Sequence, residues 1–457
     1  MNLLVPGGYS HPDAQTEGER RSNADEREHP HDGQRNQRRS DTRHDGSDRT
    51  PRGVHIPKPA GHEILRLRET DDHRRRRQCK CEQCKHEYPL VTFPRWTTLG
   101  ALRRPPDTGF ALASPAVCSG TPRLDPSSIH PMRAAVITRF GGPEVLEIRD
   151  VEAPVIDDDQ LLVRVRASGL NRADIHQRNG GYPAPPGSPA DIPGLEYAGE
   201  VVELGKDVRD FAIGDRVFGI AGGGAHAELI AVHARTAARA PSRLSWTDAG
   251  AVPEAFITAH DALVTQAHLT RGERVLIHAV GSGVGLAAVQ VARAVGAIPF
   301  GTSRTADKIN RALPYGLERG GELRDAKALS ELARNWAPGG FDVVLDLVGG
   351  AYTPASIDLL ATRGRLMLVG LVAGATATFD LRRVLSRRVS VIGTVLRARS
   401  VDEKAAATAA FIRDLGGLFE RGSLRPVVDR EFSLDRIADA HRRMESNESF
   451  GKVLIVP

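Results

Sequence analysis

Residues 274–280 (RVLIHAV) form a mostly apolar run, and Gly281, Ser282, Gly283, Val284 and Gly285 follow it directly. A short run of this kind is what a strand buried on both faces of a parallel sheet carries. Beyond the glycines, Val284, Ala287, Ala288, Val291 and Val295 repeat at the spacing of one helix face. The glycines therefore mark a turn from strand to helix. A residue without a Cβ lets the backbone bend tightly and lets a phosphate reach the amides. The helix N-terminus adds partial positive charge there, and Gly285 lets the helix close on the strand. A plain structural turn is the alternative for an isolated glycine cluster.

The surroundings favour the phosphate site. Further short apolar runs follow at 297–303 (AIPFGTS), 341–349 (FDVVLDLVG), 365–372 (RLMLVGLV) and 389–396 (VSVIGTVL), with helical segments such as 325–337 (DAKALSELARNWA) between some of them. That alternation predicts an α/β fold with a doubly wound parallel sheet and a dinucleotide site at its glycine turn. NAD sites usually place an acidic residue about 20 positions past the glycines, for the ribose hydroxyl. Here the second strand ends in Gly301, Thr302, Ser303, Arg304 and Thr305, with Lys308 one helical turn later. Hydroxyls and cations suit a 2′-phosphate, which arginine holds bidentately. Ser303, Arg304 and Lys308 thus point to NADPH; a solvated turn is the other reading of Arg304.

A chain of 457 residues has room for two or three domains of roughly 100–200 residues each. Its texture breaks near residue 131. Residues 1–131 hold charge runs such as RHDGSDRTPRG and DDHRRRRQ with hardly any apolar periodicity, which predicts a disordered, low-complexity extension. Such runs are solvated surface or, alternatively, contacts to nucleic acid. All 4 cysteines (Cys79, Cys81, Cys84 and Cys118) fall there. They make one CxxC without the second ligand pair that a structural zinc site needs. From Met132 onward, alternating stretches such as MRAAVITRF and QLLVRVRASGLN predict half-buried strands, and Met132 itself is a candidate start of the protein. No apolar run approaches the roughly 20 residues of a membrane span, and the first residues lack the pattern of a secretory signal. A cytoplasmic protein is expected.

The segments FGGPEVLEI (140–148), SGLNRADIHQRNGGYP (168–183), IPGLEYAGEVVELG (192–205), IGDRVFG (213–219), AVPEAFITAHDAL (251–263) and FGKVLIV (450–456) resemble the medium-chain dehydrogenase/reductase superfamily, in its zinc-free, zeta-crystallin-like quinone oxidoreductase branch. The resemblance covers about residues 132–457. It implies a GroES-like, mainly β catalytic domain at 132–253, completed by about 398–457, and a Rossmann NADPH-binding domain at 254–397. Aligned on Gly285, the first two glycines of the usual fingerprint are replaced by Val280 and Ser282. Zinc-using relatives carry a cysteine early in the catalytic domain and a GHE motif later. The matching places here read Ser168, Gly169, Leu170, Asn171 and Gly194, Leu195, Glu196, and no cysteine follows Cys118. No metal ligand is assigned.

The resemblance further implies NADPH-dependent reduction of quinones or α,β-unsaturated carbonyls by direct hydride transfer. An enoyl-thioester or alkene reductase is the alternative within the superfamily; an NADPH-binding RNA-binding protein that uses the basic leader is the alternative outside it. By family position, Asn171 and Tyr182 line the reaction cleft and are candidates to hydrogen-bond the acceptor oxygen as charge develops. A loop-capping role is equally open for Asn171, and a turn aromatic for Tyr182. The implied cofactor contacts are Glu254, Phe256 and Thr258, the turn residues Gly281, Ser282, Gly283, Val284 and Gly285, and Ser303, Arg304 and Lys308. Gly370, Leu371, Leu396, Arg397, Phe450, Gly451 and Lys452 complete the set. Helix-start charge is the other reading of Glu254, and a solvated surface lysine that of Lys452. A homodimer paired through the edge strand at 389–396 is also implied.

Overall fold

The computed structural model of the chain describes residues 131–457. The expectations attached to the charged leader and to Cys79, Cys81, Cys84 and Cys118 lie outside the described residues. β1 (Met132–Ile137) and β2 (Leu146–Val151) form an antiparallel hairpin. β3 (Gln160–Leu170) follows, with Val163, Val165 and Ala167 buried while Arg164 and Arg166 face solvent. This is the two-residue alternation of a sheet covered on one side. β4 (Glu196–Leu204), β5 (Arg216–Ile220), β6 (Leu229–His233) and β7 (Ala237–Arg239) extend it.

The parallel part is built from β8 (Arg274–Ile277), β9 (Ile298–Ser303), β10 (Arg319–Glu322), β11 (Phe341–Asp346), β12 (Leu360–Leu368) and β13 (Ser390–Gly393). Its order is β10-β9-β8-β11-β12-β13. The chain first builds outward from β8 to one side, then returns to build the other. Open α/β sheets take ligands at such a switch point, outside the carboxyl ends of the strands. The expected strand at 274–280 ends at Ile277, because Ala279 adopts a left-handed φ of 48° that swings the chain into the glycine turn. The segment at 325–337 is three short helical pieces rather than one helix.

β14 (Val428–Ser433) and β15 (Lys452–Val456) bring the chain back to the first sheet, whose order is β14-β15-β3-β4-β5-β7 with β6 on β3. β15 runs antiparallel to β3, with Val453 opposite Leu170. The result is the expected mixed α/β architecture: a GroES-like sheet and a parallel Rossmann-like sheet. One apolar core joins them, in which Phe218 and Ile220 of β5 share a cluster with Phe256, Ile257, Val275 and Leu286. The helix Pro253–His260 crosses this core and is buried at every residue except Glu254, which is half-buried. No helix among the described residues is long and apolar enough to cross a membrane.

Candidate functional site

The glycine turn leads into the helix Gly283–Ala294. Ser282 caps it, its hydroxyl accepting from the Gly285 amide at 3.1 Å. The Gly283 and Val284 amides have no intrahelical partner, as the first helical turn dictates; Gly283 N–H turns to the Gly451 carbonyl across the isolated bridge between Ser282 and Gly451, and Val284 N–H has no acceptor among the described residues. The turn is closely walled. A Cβ on Gly285 would come within 2.6 Å of the Ala279 carbonyl oxygen; one on Gly283 would meet the Lys452 side chain at 2.5 Å, and one on Gly281 that of Lys308 at 2.9 Å. These glycines let two lysine stems come close against the turn, where the Val284 amide is free at the positive end of a helix. That is a fit for a pyrophosphate.

Gly451 stitches the return strand to this turn. Its amide donates to the Gly281 carbonyl at 3.0 Å, and its φ of 95° is one that glycine adopts without strain. Phe450 beside it is buried under the guanidinium of Arg311, 4.1 Å from the ring centre.

At the carboxyl end of β9, three cations from separate segments converge on Asn447. Lys308 Nζ donates to its carbonyl at 2.6 Å and Arg304 Nη2 at 3.4 Å, while Arg172 Nη2 reaches its side-chain oxygen at 2.8 Å. Burial and the charge of Arg304 both hold the Lys308 and Arg172 pKa values below their ordinary range; Asp429 and Glu445 only partly offset this. Ser303 is buried at the same strand end and Arg304 is exposed. Cationic groups that repel one another gather here with too few carboxylates to neutralise them, an arrangement suited to a phosphate dianion.

The third part lies where β3, β4 and β15 meet the helix Pro253–His260. Lys452 Nζ ends 2.5 Å from Glu196 Oε1, 2.6 Å from Asn171 Oδ1 and 3.0 Å from the Leu170 carbonyl. Asn171 Nδ2 donates to Glu196 and to Gly169, and the Glu254 amide donates to the other Glu196 oxygen at 2.8 Å. Every hydrogen-bonding group of Asn171's side chain is therefore engaged within the protein. The residue is also the N-cap of the helix Arg172–Arg178. Asp174 steadies this corner by accepting from the Asn171 and Gly194 amides. Burial works to raise the Asp174 pKa, but the hydrogen bond and charge of His226 together with the Asn171 amide outweigh it and hold the carboxyl below its usual range. Ser168, His226 and Asp174 lie in sequence as a hydroxyl, an imidazole and a carboxylate, with Ser168 Oγ 2.8 Å from His226 Nδ1. All three are fully buried, so they brace the site from behind.

Glu254 and Tyr182 sit on the open side of this corner. Tyr182 is half-buried, and the Arg397 guanidinium lies 5.0 Å from its ring centre. Arg397 donates to the Gly222 and Tyr182 carbonyls and to Gln177 Oε1, which ties two loops to the helix Arg172–Arg178. Burial pushes the Glu254 carboxyl up to about 8, assisted by the neighbouring Glu196 and opposed by Lys452. Phe256 faces Phe419 in the core with ring centres 4.9 Å apart, Thr258 is buried one helical step beyond, and Leu396 belongs to the same core cluster. Gly370 presses against the Leu347 backbone at the end of β12, and Leu371 beside it is exposed.

Of the residues that the sequence singles out, the turn glycines, Lys308, Gly451 and Lys452 are thus contiguous, Asn171 and Glu254 adjoin them through Lys452 and Glu196, and Tyr182 lies against Arg397. Sequence reasoning missed Glu196, Arg172, Arg311 and Asn447 as site residues. Among the described residues, no group of three or more His, Cys, Asp or Glu is placed to hold a metal ion.

Residues 157–242 match the family model for the alcohol dehydrogenase GroES-like domain, and residues 322–455 match that for zinc-binding dehydrogenase. Quinone oxidoreductase of Homo sapiens is 31% identical over 330 residues, covering 71% of this chain and 98% of that protein. Among solved structures, a mycobacterial protein complexed with NADPH matches with a TM-score of 0.65 at 27% identity, over 71% of this chain and 100% of that one. An ER cyclopropanase from the curacin A biosynthetic pathway matches with a TM-score of 0.64 at 26% identity, over 71% and 99%.

Proposed function

Because the chain belongs to the medium-chain dehydrogenase/reductase superfamily, in its zinc-free quinone oxidoreductase branch, we propose that this oxidoreductase uses NADPH to reduce quinones or α,β-unsaturated carbonyls. The convergence of Arg172, Arg304 and Lys308 on Asn447 carries the choice of cofactor. A 2′-phosphate at this strand end would relieve the mutual repulsion of the cations; a bare ribose hydroxyl would leave it. The residues fit the rest of the cofactor as well. Gly281 and Gly283 would let the pyrophosphate approach the turn and the free Val284 amide would hold it, with Gly451 closing the turn from the other sheet.

A bound reduced nicotinamide supplies a hydride, and the chain's own residues supply position and polarity. Quinones and enones already have an electrophilic carbon, so orientation in a water-poor cleft is the main requirement. Lys452 and Glu196 hold Asn171 and the start of the helix Pro253–His260 as a fixed floor. Tyr182 offers its hydroxyl from the opposite loop, where a developing oxyanion can accept from it.

Among the described residues the parallel sheet ends at β13, which pairs there only with β12, and Val391 on it is 42% exposed. Leu381 and Leu385, just before it, are also exposed. A homodimer joined through this edge would cover an unpaired strand that soluble proteins otherwise protect. A panel of 1,4-quinones, enones and enoyl thioesters, followed by NADPH oxidation, tests the activity. Turnover of quinones or enones supports it; turnover of thioesters alone replaces it with the enoyl-reductase reading.

A further inference from the structure

A quinone or enone that gains a hydride must also gain one proton before it leaves as a hydroquinone or an enol. The floor of the cleft offers few groups able to give it. Asn171 has both side-chain hydrogens committed to Gly169 and Glu196, and the Lys452 ammonium is held by three acceptors. Arg397 is tied to two loops and a helix. Apart from Lys404, whose ammonium faces Glu254 from the helix Val401–Phe411, two side chains remain without such ties, the Tyr182 hydroxyl and the Glu254 carboxyl, for neither of which is there a hydrogen-bond partner among the described residues.

Glu254 is the better placed. Pro253 starts its helix, and the Glu254 amide is pinned to Glu196 Oε2, so its backbone cannot drift. It is the one residue of an otherwise buried helix that keeps contact with solvent, and protons can therefore be replenished. A carboxylate in the first helical turn is ordinarily favoured. Here burial comes first against it, then the Glu196 charge and, more weakly, Asp174, while Lys452 and Lys404 pull the other way. Arg397 and Tyr182 face it from the loop side. Burial also raises the Tyr182 phenol, which makes it a weaker acid still.

We propose that Glu254 is the proton donor of the reduction, with Glu196 and Lys452 as its positioning residues. The inference rests on the reductase reading above. The hydride and its electron pair go to the acceptor carbon; in a quinone that hydrogen then leaves the ring as a proton to water while the second oxygen takes a proton from water, which gives the hydroquinone. The acceptor oxygen, as it becomes anionic, forms its O–H bond with the Glu254 proton, the carboxyl O–H bond breaks, and water returns a proton to the carboxylate afterwards. An acid whose pKa lies near the working pH is the efficient kind, and Glu254 at about 8 meets that condition.

The test compares wild type with Glu254→Gln, Glu254→Asp and Glu196→Gln. In the cofactor-free protein, carboxyl NMR with labelled glutamate follows the titration directly. One carboxyl titrating near 8 in wild type and missing from Glu254→Gln supports the proposal, whereas a Glu254 carboxyl titrating near its ordinary 4.5 overturns it. Glu196→Gln removes a raising charge and frees Lys452, so that titration moves to lower pH. The folded wild type keeps a proton that the unfolded chain releases above 4.5, so its stability falls as pH rises towards 8. Glu254→Gln loses that fall.

With an active acceptor, kcat of wild type declines above the carboxyl's titration point. Glu254→Gln lowers kcat about 100-fold with little change in KM and abolishes the decline, and Glu254→Asp restores part of both. Wild-type kcat with an unchanged alkaline limb in Glu254→Gln overturns the proton-donor role and leaves the reductase reading intact. Failure of wild type to reduce any quinone or enone overturns that reading instead, and the carboxyl titration still decides whether Glu254 is held protonated.

Discussion

Lys452 at the start of β15 is paired with Glu196 at the start of β4, Nζ to Oε1 at 2.5 Å, with both side chains buried. Removing one partner of a buried pair leaves the other charged and unmatched, a loss of about 3–5 kcal/mol. Lys452→Met is therefore expected to destabilise the protein strongly. Glu196→Gln is expected to be milder, because Lys452 keeps Leu170 and Asn171 as acceptors. Urea unfolding of both single variants and the double variant measures the coupling. A coupling of about 1 kcal/mol or more is expected, and strict additivity would contradict the pairing.

The glycine turn separates fold from binding. Gly285→Ala drives a methyl group into the Ala279 and Val280 backbone, which cannot yield cheaply, so a loss of about 1–3 kcal/mol in stability is expected. Gly283→Ala meets only the Lys452 stem. It should leave the melting temperature within a few degrees of wild type while weakening NADPH binding at least tenfold. Thermal melts with fluorescence titration of the cofactor separate the two effects.

Arg304→Ala and Lys308→Met should weaken NADPH binding by about 10- to 100-fold each, as the loss of one charge-assisted contact to phosphate implies. NADH binding should change little. Parallel titration of the two cofactors checks this, and an equal loss for both would show that these cations do not read the 2′-phosphate.

His441 is buried beside Arg178, with its Nδ1 3.1 Å from Nη1. Burial first, and then the nearby His226 and Arg178, hold its pKa down to about 3 against the pull of Asp174. The folded protein keeps the ring neutral while the unfolded chain protonates it below 6.5, so stability is lost as pH falls from 6.5 towards 3. Between pH 7 and 5 this group should remove about 2 kcal/mol. His441→Gln, which keeps an acceptor for Arg178, should lose correspondingly less over that interval in urea unfolding. Equal losses in both proteins would contradict the assignment.

Val391→Lys places a charge in the exposed edge strand β13. The proposed dimer should then run as a monomer in sedimentation, with cofactor affinity retained. A wild-type chain that sediments as a monomer at micromolar concentration would remove the dimer from the account.

Much of the fold was legible because it rests on local signals. The apolar runs of β8, β9 and β11, the helical repeat from Val284 and the glycines between them are all written within a few tens of residues. The early end of β8 was not, because a left-handed Ala279 carries no compositional mark. The site was legible in its nucleotide half for the same reason. Its other half depends on pairing between distant strands. Glu196 and Lys452 meet only because β15 returns to lie beside β3, which itself pairs with β4. Asn447 collects three cations from a loop with no motif of its own. Arg397, expected to contact the cofactor, has its donors on Gly222, Tyr182 and Gln177, partners that lie far away in sequence.

The most direct measurement is a crystal structure of the chain grown with NADPH. The account predicts the pyrophosphate at the glycine turn on the Val284 amide and the 2′-phosphate among Arg172, Arg304 and Lys308, displacing their bonds to Asn447. A cofactor bound elsewhere, or one whose 2′-phosphate points away from those three cations into solvent, would contradict it.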